Sequence, residues 1–532
     1  MRNTLLFTLT FVLVSIFSSD IHAQSKEADN GYNIKFKIKG ATDTIQLAYY
    51  YGDKKLLKDK QPANEKGEFE FSGSESLECG IYLVVIPNKG YFEFVANGQQ
   101  HFTMESDTIN LIENMKVKGN EENALFYDYL RFINPKGVEM NELSSKLKAL
   151  EDTATAEGRK IRKDLIALDK EVNEYKKKFR ETHKGTFIAN LFQAMEETPT
   201  PEMKEIEDPK ERQQARFNFY KAHFFDNLKL NDGCMVRTPI LHGRVKKYME
   251  DLTVQIPDSV IKEADYLVKS AGDSYEMFKY LVMTITRNAE KNKIMCFDKV
   301  RLHMYQEYYM KDNRVDWIDS TIEAKIKEEI AKLRYNQCNE TAQELVMQDT
   351  TGKSWRLSDI PADYTIVYFW SATCGHCKKA TPKLQTLYEV TKHHYNWEVY
   401  SVCIDRDLKE FKKFINKYNF NWPNVYDTED KNYFRVKYNV FSTPQIYILD
   451  KNKKIVAKRI DVSTIEKILS EKSEIEMYPE DKNVSEIKVE RETKSNLPVI
   501  TLEEMEALWQ KYLDTFRKEK TEDDGHDDHE GH

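Results

Sequence analysis

Apolar and polar residues alternate in the first part of the chain, between about residues 31 and 118. Residues 32–38 show the period of two that is typical of a half-buried strand. Residues 81–86 form a continuous apolar run that ends at Pro87. Other short strands are predicted at residues 67–71, 91–95 and 100–104. Several short strands at near-regular spacing predict an N-terminal β-sandwich.

The pattern changes between about residues 120 and 336. Pro and Gly become rare, and apolar residues recur at steps of three and four, as at Phe126, Tyr129 and Leu130. This spacing places apolar side chains on one stripe of a helix. The middle of the chain is therefore predicted to be a helical domain.

Beyond about residue 340, strand and helix patterns alternate. Residues 364–370 and 397–404 have the composition of buried strands, whereas residues 377–392 and 408–418 have helical spacing. Alternation of this kind predicts an α/β sheet that is covered by helices on both faces.

After about residue 479 the composition turns polar, although residues 502–516 have the stripe of one more amphipathic helix. The acidic end contains His526, His529 and His532. We interpret it as a disordered, solubilising tail, with weak metal binding as the alternative.

The N-terminus has the features of a secretory signal peptide. Arg2 precedes a mostly apolar stretch at residues 5–17, and small and polar residues follow as far as Ala23. We expect cleavage after Ala23. The apolar stretch is shorter than the about 20 residues of a bilayer span, and an uncleaved anchor is the alternative. Export to the periplasm, with no membrane span after cleavage, is the prediction.

These patterns divide the 532 residues into five parts. The predicted parts are a signal peptide at 1–23, a β-sandwich domain at 24–118, a helical domain at 119–338, an α/β domain at 339–478 and a C-terminal extension at 479–532. The chain is therefore predicted to be multidomain.

Charge and cysteine content restrict the function. There are 80 basic and 88 acidic residues and no basic stripe, so nucleic acid is not an expected partner. Seven cysteines are few for this length. Five of them lie singly and are expected to be structural, namely Cys79, Cys234, Cys296, Cys338 and Cys403. An odd count in an exported protein leaves at least one thiol unpaired or bound to another molecule.

The other two cysteines form the segment Cys374-Gly375-His376-Cys377, between a predicted buried strand and a predicted helix. This position places Cys374 at a helix N-terminus, where a thiolate is stabilised and activated. A protonated imidazole at His376 would favour the same anion. Cys377 falls inside the first turn and is the expected resolving thiol. We predict that these three residues are catalytic.

Other uses of this cysteine pair fit less well. A c-type haem site needs His directly after the second cysteine, where the chain has Lys378. A structural zinc site needs a second pair of ligands, and Cys403, His393 and His394 do not supply one. A structural disulfide is a further alternative. No metal or other cofactor is predicted beyond a redox-active Cys374–Cys377 disulfide.

Residues from about 342 to 474 resemble the thioredoxin fold, and in particular the TlpA/ResA-like branch of exported thiol-disulfide oxidoreductases. The motifs that carry the resemblance are 349–353 with 357–359, Phe369-Trp370, the cysteine pair, Pro382 and Thr443-Pro444. The tetrapeptide itself is similar to that of protein disulfide isomerases. The order of a β-rich module, a helical module and this domain resembles exported proteins of Bacteroidetes-type bacteria.

This resemblance implies the remaining site residues and the partners. Pro444 would be cis and would lie beside the cysteine pair, with the Thr443 backbone binding a substrate. Trp370 and Gly375 are expected to join them in substrate binding. The expected partners are protein thiols and disulfides and a membrane or periplasmic electron donor. Reduction, isomerisation and oxidation of disulfides all remain open as directions of the reaction.

Two departures from the family pattern concern proton transfer. Thioredoxins have a buried Asp where this chain has Tyr368, and ResA-like proteins often have a Glu where it has Ala380. Water, the Tyr368 hydroxyl or His376 could take that role.

Two functions compete with thiol-disulfide exchange. The first is an envelope-binding protein that uses its β and helical modules. The second is peroxide reduction, for which the expected Pro-x-x-x-Thr-x-x-Cys pattern does not precede Cys374.

Overall fold

The computed structural model of the chain describes residues 31–150, 152 and 154–477. The predicted signal peptide, the predicted helix at 502–516 and the histidine-containing tail lie outside these residues. The chain forms two compact units. The first extends to Glu196 and also includes Cys234–Ile240, and the second contains Glu197–Gly233 and the chain from Leu241 onward.

The first unit contains two four-stranded sheets, with strand orders β4-β1-β7-β8 and β3-β2-β5-β6. Their bounds are β1 Tyr32–Lys39, β2 Thr44–Tyr51, β3 Lys54–Pro62, β4 Glu68–Gly73, β5 Gly80–Ile86, β6 Gly90–Ala96, β7 His101–Asp107 and β8 Lys116–Lys118. Phe36 of the first sheet contacts Phe92 and Phe94 of the second, with ring centroids 5.8 and 6.1 Å apart. The apolar faces of the two sheets therefore share one core, as the β-sandwich prediction requires.

Three helices follow these sheets: α1 Glu121–Ala149, α2 Ala156–Thr182 and α3 Phe187–Met195. Buried Asn123 fixes α1 to β6, because its side-chain amide exchanges two hydrogen bonds of 2.8 Å with the Val95 backbone. A disulfide between Cys79 and Cys234 attaches the returning segment Cys234–Ile240 to the chain just before β5.

The second unit begins with a helical part. Its helices are α4 Pro209–Ala222, α5 Leu241–Glu250, α6 Pro257–Ser270, α7 Tyr275–Lys291, α8 Asp298–Met304 and α9 Ser320–Leu333, with a π-helical turn at Tyr305–Tyr309. Pro257 is the first residue of α6, a position that proline tolerates because it has no N–H to lose in a first turn. No helix in the described residues is long and apolar enough to cross a membrane.

A seven-stranded sheet forms the rest of this unit, in the order β10-β9-β13-β12-β11-β14-β15. The strands are β9 Val346–Asp349, β10 Ser354–Arg356, β11 Tyr364–Trp370, β12 Trp397–Cys403, β13 Asn424–Tyr426, β14 Gln445–Leu449 and β15 Ile455–Lys458. The accompanying helices are α10 Gly375–Tyr395, α11 Leu408–Tyr418, α12 Phe434–Lys437 and α13 Val462–Met477. Strand β11 pairs in parallel with β12 and antiparallel with β14.

Both faces of the sheet are covered, so every side chain of β11 is buried. Tyr368 and Trp370 belong to the core on one face, and Val367 and Phe369 belong to the core on the other. This explains why the strand has a continuous apolar sequence without alternation.

The helical and α/β parts of the second unit are joined by a disulfide and a buried ion pair. Cys296, just before α8, is bonded to Cys338, just before the α/β part. The ammonium group of Lys458 on β15 lies 2.6 Å from the Asp298 carboxylate and 2.7 Å from the Asn336 carbonyl oxygen. The predicted domain boundary after residue 338 thus lies inside one compact unit, and it stays a prediction.

Candidate active site

Cys374 stands where the chain turns from β11 into α10. Its sulfur accepts a hydrogen bond from the Cys377 backbone N–H at 3.5 Å, which makes Cys374 the N-cap of the helix. The first N–H groups of a helix have no partner within it, and the helix dipole adds partial positive charge there. The half-exposed Cys374 sulfur is therefore placed where an anion is stabilised.

The pKa of Cys374 reflects this position. Partial burial alone would raise it, but hydrogen bonds from Cys377, the Thr443 side chain and the His376 backbone outweigh burial. The pKa of the Cys374 thiol is therefore lower than that of an ordinary cysteine. Since the thiolate is the nucleophile, Cys374 is the more reactive of the two sulfurs.

Cys377 has the opposite environment. Its side chain is fully buried in the core on one face of the sheet. Burial is the main reason that its pKa is raised to about 12, and the neighbouring Cys374 sulfur adds to the effect. Both thiols are free in this structure. The exposed sulfur is thus prepared to attack, and the buried one stays protonated until a nearby sulfur reacts.

Tyr368, which replaces the usual buried Asp, contacts helix α10 through Thr381. The Thr381 hydroxyl donates to the Cys377 carbonyl oxygen at 2.8 Å. Because that hydroxyl has one proton, Tyr368 must be the donor in its own 2.8 Å hydrogen bond with Thr381. Burial raises the pKa of Tyr368 above its ordinary value, so the hydroxyl keeps its proton. Tyr368 therefore supports the first turns of α10 as a neutral donor.

The loop before β14 brings Thr443 and Pro444 to the cysteines. Because β14 pairs with β11, its beginning lies close to the end of β11, where the cysteine turn starts. The Thr443–Pro444 peptide bond is cis. The Cys374 thiol donates to the Thr443 carbonyl oxygen at 3.4 Å. Thr443 and Pro444 are both half-exposed and border the reactive sulfur.

Trp370 requires a correction. The side chain is fully buried, and its indole N–H donates to the Ser401 hydroxyl at 2.7 Å. Its ring packs against Phe411 and Phe414. Trp370 is therefore a core residue beneath the site, and the prediction that it contacts a substrate is wrong for this conformation.

His376 and Gly375 are both exposed in the first turn of α10. The His376 backbone N–H lowers the pKa of Cys374. The predicted effect of a protonated His376 imidazole stays a prediction. Within the described part of the chain, the His376 ring has no hydrogen bond or ion pair with the cysteines. Gly375 leaves open space beside Cys374, since a Cβ atom there would meet no atom within 4 Å.

Asp405 is a site residue that the sequence reasoning misses. Its carboxylate accepts a hydrogen bond of 2.7 Å from the Ala372 backbone N–H, two residues before Cys374. It lies two residues after the end of β12, and the carboxyl ends of parallel strands β11 and β12 meet at one edge. A polar residue shortly after a buried parallel strand was the available clue. No group of three or more His, Cys, Asp or Glu residues in the described ranges is arranged to hold a metal ion.

The AhpC/TSA family matches residues 338–458, which include the cysteine turn, Asp405 and Pro444. The α/β part of the chain belongs to the AhpC/TSA family. A second family, a domain of unknown function (DUF4369), matches residues 32–126 in the first unit.

Relatives of the AhpC/TSA part are thiol-disulfide oxidoreductases. The chain is 28% identical to the thiol-disulfide oxidoreductase ResA of Geobacillus kaustophilus over 24% of its own length and 70% of that protein. It is 29% identical to ResA of Bacillus subtilis over 22% of its own length and 63% of that protein. A crystallised domain of a possible thiol-disulfide isomerase from Cytophaga hutchinsonii is 36% identical, with 26% of this chain and 95% of that one covered and a TM-score of 0.25. The AhpC/TSA match and the similarity to the ResA proteins indicate that this part is a thioredoxin-like oxidoreductase of the thiol-disulfide class.

Proposed function

We propose that this protein is an exported enzyme that reduces or isomerises protein disulfides in the periplasm, with Cys374 as the nucleophile and Cys377 as the resolving thiol. One observation carries the proposal. The half-exposed Cys374 sulfur caps α10 and has a lowered pKa, whereas Cys377 is buried and has a raised one. This asymmetry assigns a different step to each sulfur.

In the reductive direction the Cys374 thiolate attacks one sulfur of a partner disulfide. A mixed disulfide forms, and the other partner sulfur leaves as a thiolate. Cys377 then loses its proton and attacks the Cys374 sulfur, which forms the Cys374–Cys377 disulfide and releases the second partner sulfur. Two electrons pass to the partner, and a membrane or periplasmic dithiol donor must return them for the next cycle.

The surroundings of the cysteines support a partner of polypeptide size. The half-exposed Thr443 backbone borders Cys374, so an extended segment can lie along it while its cysteine meets the sulfur. Gly375, which follows Cys374 directly, leaves open space where another residue would have a side chain. In this proposal Thr443, Pro444 and Gly375 bind the substrate, and Trp370 supports them from the core.

A disulfide-reduction assay with insulin and dithiothreitol tests the proposal. The parent protein should accelerate reduction, and the variant with Cys374→Ala and Cys377→Ala should not exceed the uncatalysed rate. Cys403→Ala is the matched control, because it removes a buried free thiol at the end of the neighbouring strand β12. A double variant that is as active as the parent would refute the proposal.

The reduction potential of the Cys374–Cys377 pair distinguishes isomerisation from reduction. Stabilising the Cys374 thiolate stabilises the reduced form, which makes the disulfide more oxidising. We therefore expect a potential above the about −270 mV of thioredoxin, as measured by equilibration with glutathione buffers. A value at or below that of thioredoxin would favour a dedicated reductase.

A further inference from the structure

Helix α9 reaches the loop that borders the redox centre. The loop between α12 and β14 contains Phe441, two residues before Thr443, and the Lys332 ammonium group lies 5.1 Å from the centroid of the Phe441 ring. Lys332 is in the last turn of α9, in the helical part of the second unit. A residue from outside the AhpC/TSA match at 338–458 thus contacts the partner-facing loop.

The Lys332 side chain is held in this position. Its ammonium group lies 2.7 Å from the Glu328 carboxylate and 3.2 Å from that of Glu329, one turn earlier on the same helix. Only 26% of the side chain is exposed. Two carboxylates on one cation fix its direction, so the charge stays over the face of the Phe441 ring.

The end of α9 is itself fixed to the α/β part. Fully buried Asn336 donates from its side-chain amide to the Lys332 and Lys437 carbonyl oxygens, at 2.7 and 3.4 Å. The Lys458 ammonium group donates to the Asn336 carbonyl oxygen at 2.7 Å, and the Cys296–Cys338 disulfide follows two residues later. These contacts make α9 a rigid neighbour of the Phe441 loop.

Phe441 remains 40% exposed, although large aromatic side chains are usually covered in a folded chain. It is joined by exposed Ser442 to Thr443, whose carbonyl oxygen lies 3.4 Å from the Cys374 sulfur. The ring thus belongs to the loop that a polypeptide delivering a cysteine to Cys374 would approach. The charges of Glu328 and Glu329 are balanced by Lys332 and by Arg301, whose guanidinium group lies 3.3 Å from the Glu329 carboxylate. This leaves the ring as the main attraction.

We propose that Phe441 selects polypeptide disulfides that carry a bulky apolar side chain next to the reacting cysteine, and that Lys332 of α9 positions the ring for this contact. The inference rests on the proposed function, since it concerns partner choice at the same cysteines. It gives the helical part a role in specificity, which the redox chemistry itself does not need.

Two disulfide-linked peptide dimers test the proposal with the full chain. They differ only in the residues on both sides of the single cysteine, which are Leu in one peptide and Asn, of similar size, in the other. The parent should reduce the Leu peptide with a kcat/KM about tenfold higher, mainly through KM, as expected for one partly buried apolar side chain. The rate with 5,5′-dithiobis(2-nitrobenzoate), a small disulfide, normalises each variant.

Phe441→Ser should bring the normalised ratio of the two peptides close to one. Lys332→Met should lower the ratio about two- to fourfold, because it removes the cation from the ring. Lys332→Arg keeps a cation there and should leave the ratio at the parent value. Val390→Ser is the matched control, since Val390 is an exposed apolar residue farther along α10, at 76% exposure, and the ratio should not change.

An unchanged ratio in Phe441→Ser would overturn the inference and leave the proposed function intact. A ratio in Lys332→Arg as low as that in Lys332→Met would overturn the role of Lys332. A parent protein that exchanges with neither peptide nor the small disulfide would overturn the proposed function, and the inference with it.

Discussion

The cysteine turn before α10 and the two disulfide-bonded regions use the same residue type for opposite purposes. Cys374 lies at a helix N-terminus, half-exposed and with a lowered pKa. Cys79–Cys234 and Cys296–Cys338 join segments that are 155 and 42 residues apart in sequence. The backbone around a cysteine and the exposure of its sulfur therefore decide whether the sulfur reacts or holds two segments together.

The largest expected effect is the loss of stability when one of the two structural disulfides is removed. Removing Cys79–Cys234 with two alanine substitutions should lower the free energy of unfolding by up to about 5 kcal/mol, and removing Cys296–Cys338 by up to about 4 kcal/mol, because the released loops differ in length. Urea denaturation followed by circular dichroism measures both. Insulin reduction at 25 °C should stay within about twofold of the parent rate for Cys79→Ala with Cys234→Ala. Lost exchange in a variant that is still folded would contradict the division of roles.

The pH dependence of alkylation tests the reactive side of the comparison. Iodoacetamide reacts with thiolates, so the rate at Cys374 in the reduced protein should rise with pH around a midpoint below the about 8.5 of an ordinary cysteine and then level off. Cys377, with a pKa raised to about 12, should contribute nothing between pH 5 and 9. The chain unfolded in guanidinium chloride is the control and should return the midpoint to the ordinary value. A native midpoint at or above that value would mean that the helix N-terminus does not activate Cys374.

The cysteine turn was predictable because a continuous apolar strand led into it and a helical pattern followed, which fixed the position of Cys374 at the cap. Pairing of the other cysteines was not, because separations of 155 and 42 residues carry no information on which chain segments meet.

The structure differs from the sequence predictions at β3 and at Trp370, and each difference has a physical cause. Strand β3 is not predicted from alternation, because its edge position leaves both faces largely exposed and lysines occupy much of it. The position of Trp370 in a family motif predicts substrate binding, yet helices cover both faces of the sheet, so no side chain of β11 reaches the surface. The attachment of the helical part through Lys458 and Asp298 also depends on tertiary contacts that no local pattern shows.

The smallest expected effect concerns Cys403, the third free thiol. It ends β12 beside the strand that leads to Cys374, but it is buried, and burial, followed by the charge of Asp405, raises its pKa. Cys403→Ala should therefore change insulin reduction by less than about twofold and lower stability by about 1–2 kcal/mol, as for a small truncation in a core. Thermal unfolding and the reduction assay measure these values. A large loss of exchange with unchanged stability would show that Cys403 takes part in the redox cycle.

Trapping of a mixed disulfide tests the central claim, that Cys374 is the attacking sulfur, most directly. In the Cys377→Ser variant the resolving step is blocked, so a protein disulfide such as insulin should remain attached after the first attack. Peptide mapping by mass spectrometry should find the attached chain on Cys374. Attachment at Cys403, or no adduct while Cys374 stays accessible to iodoacetamide, would contradict the account.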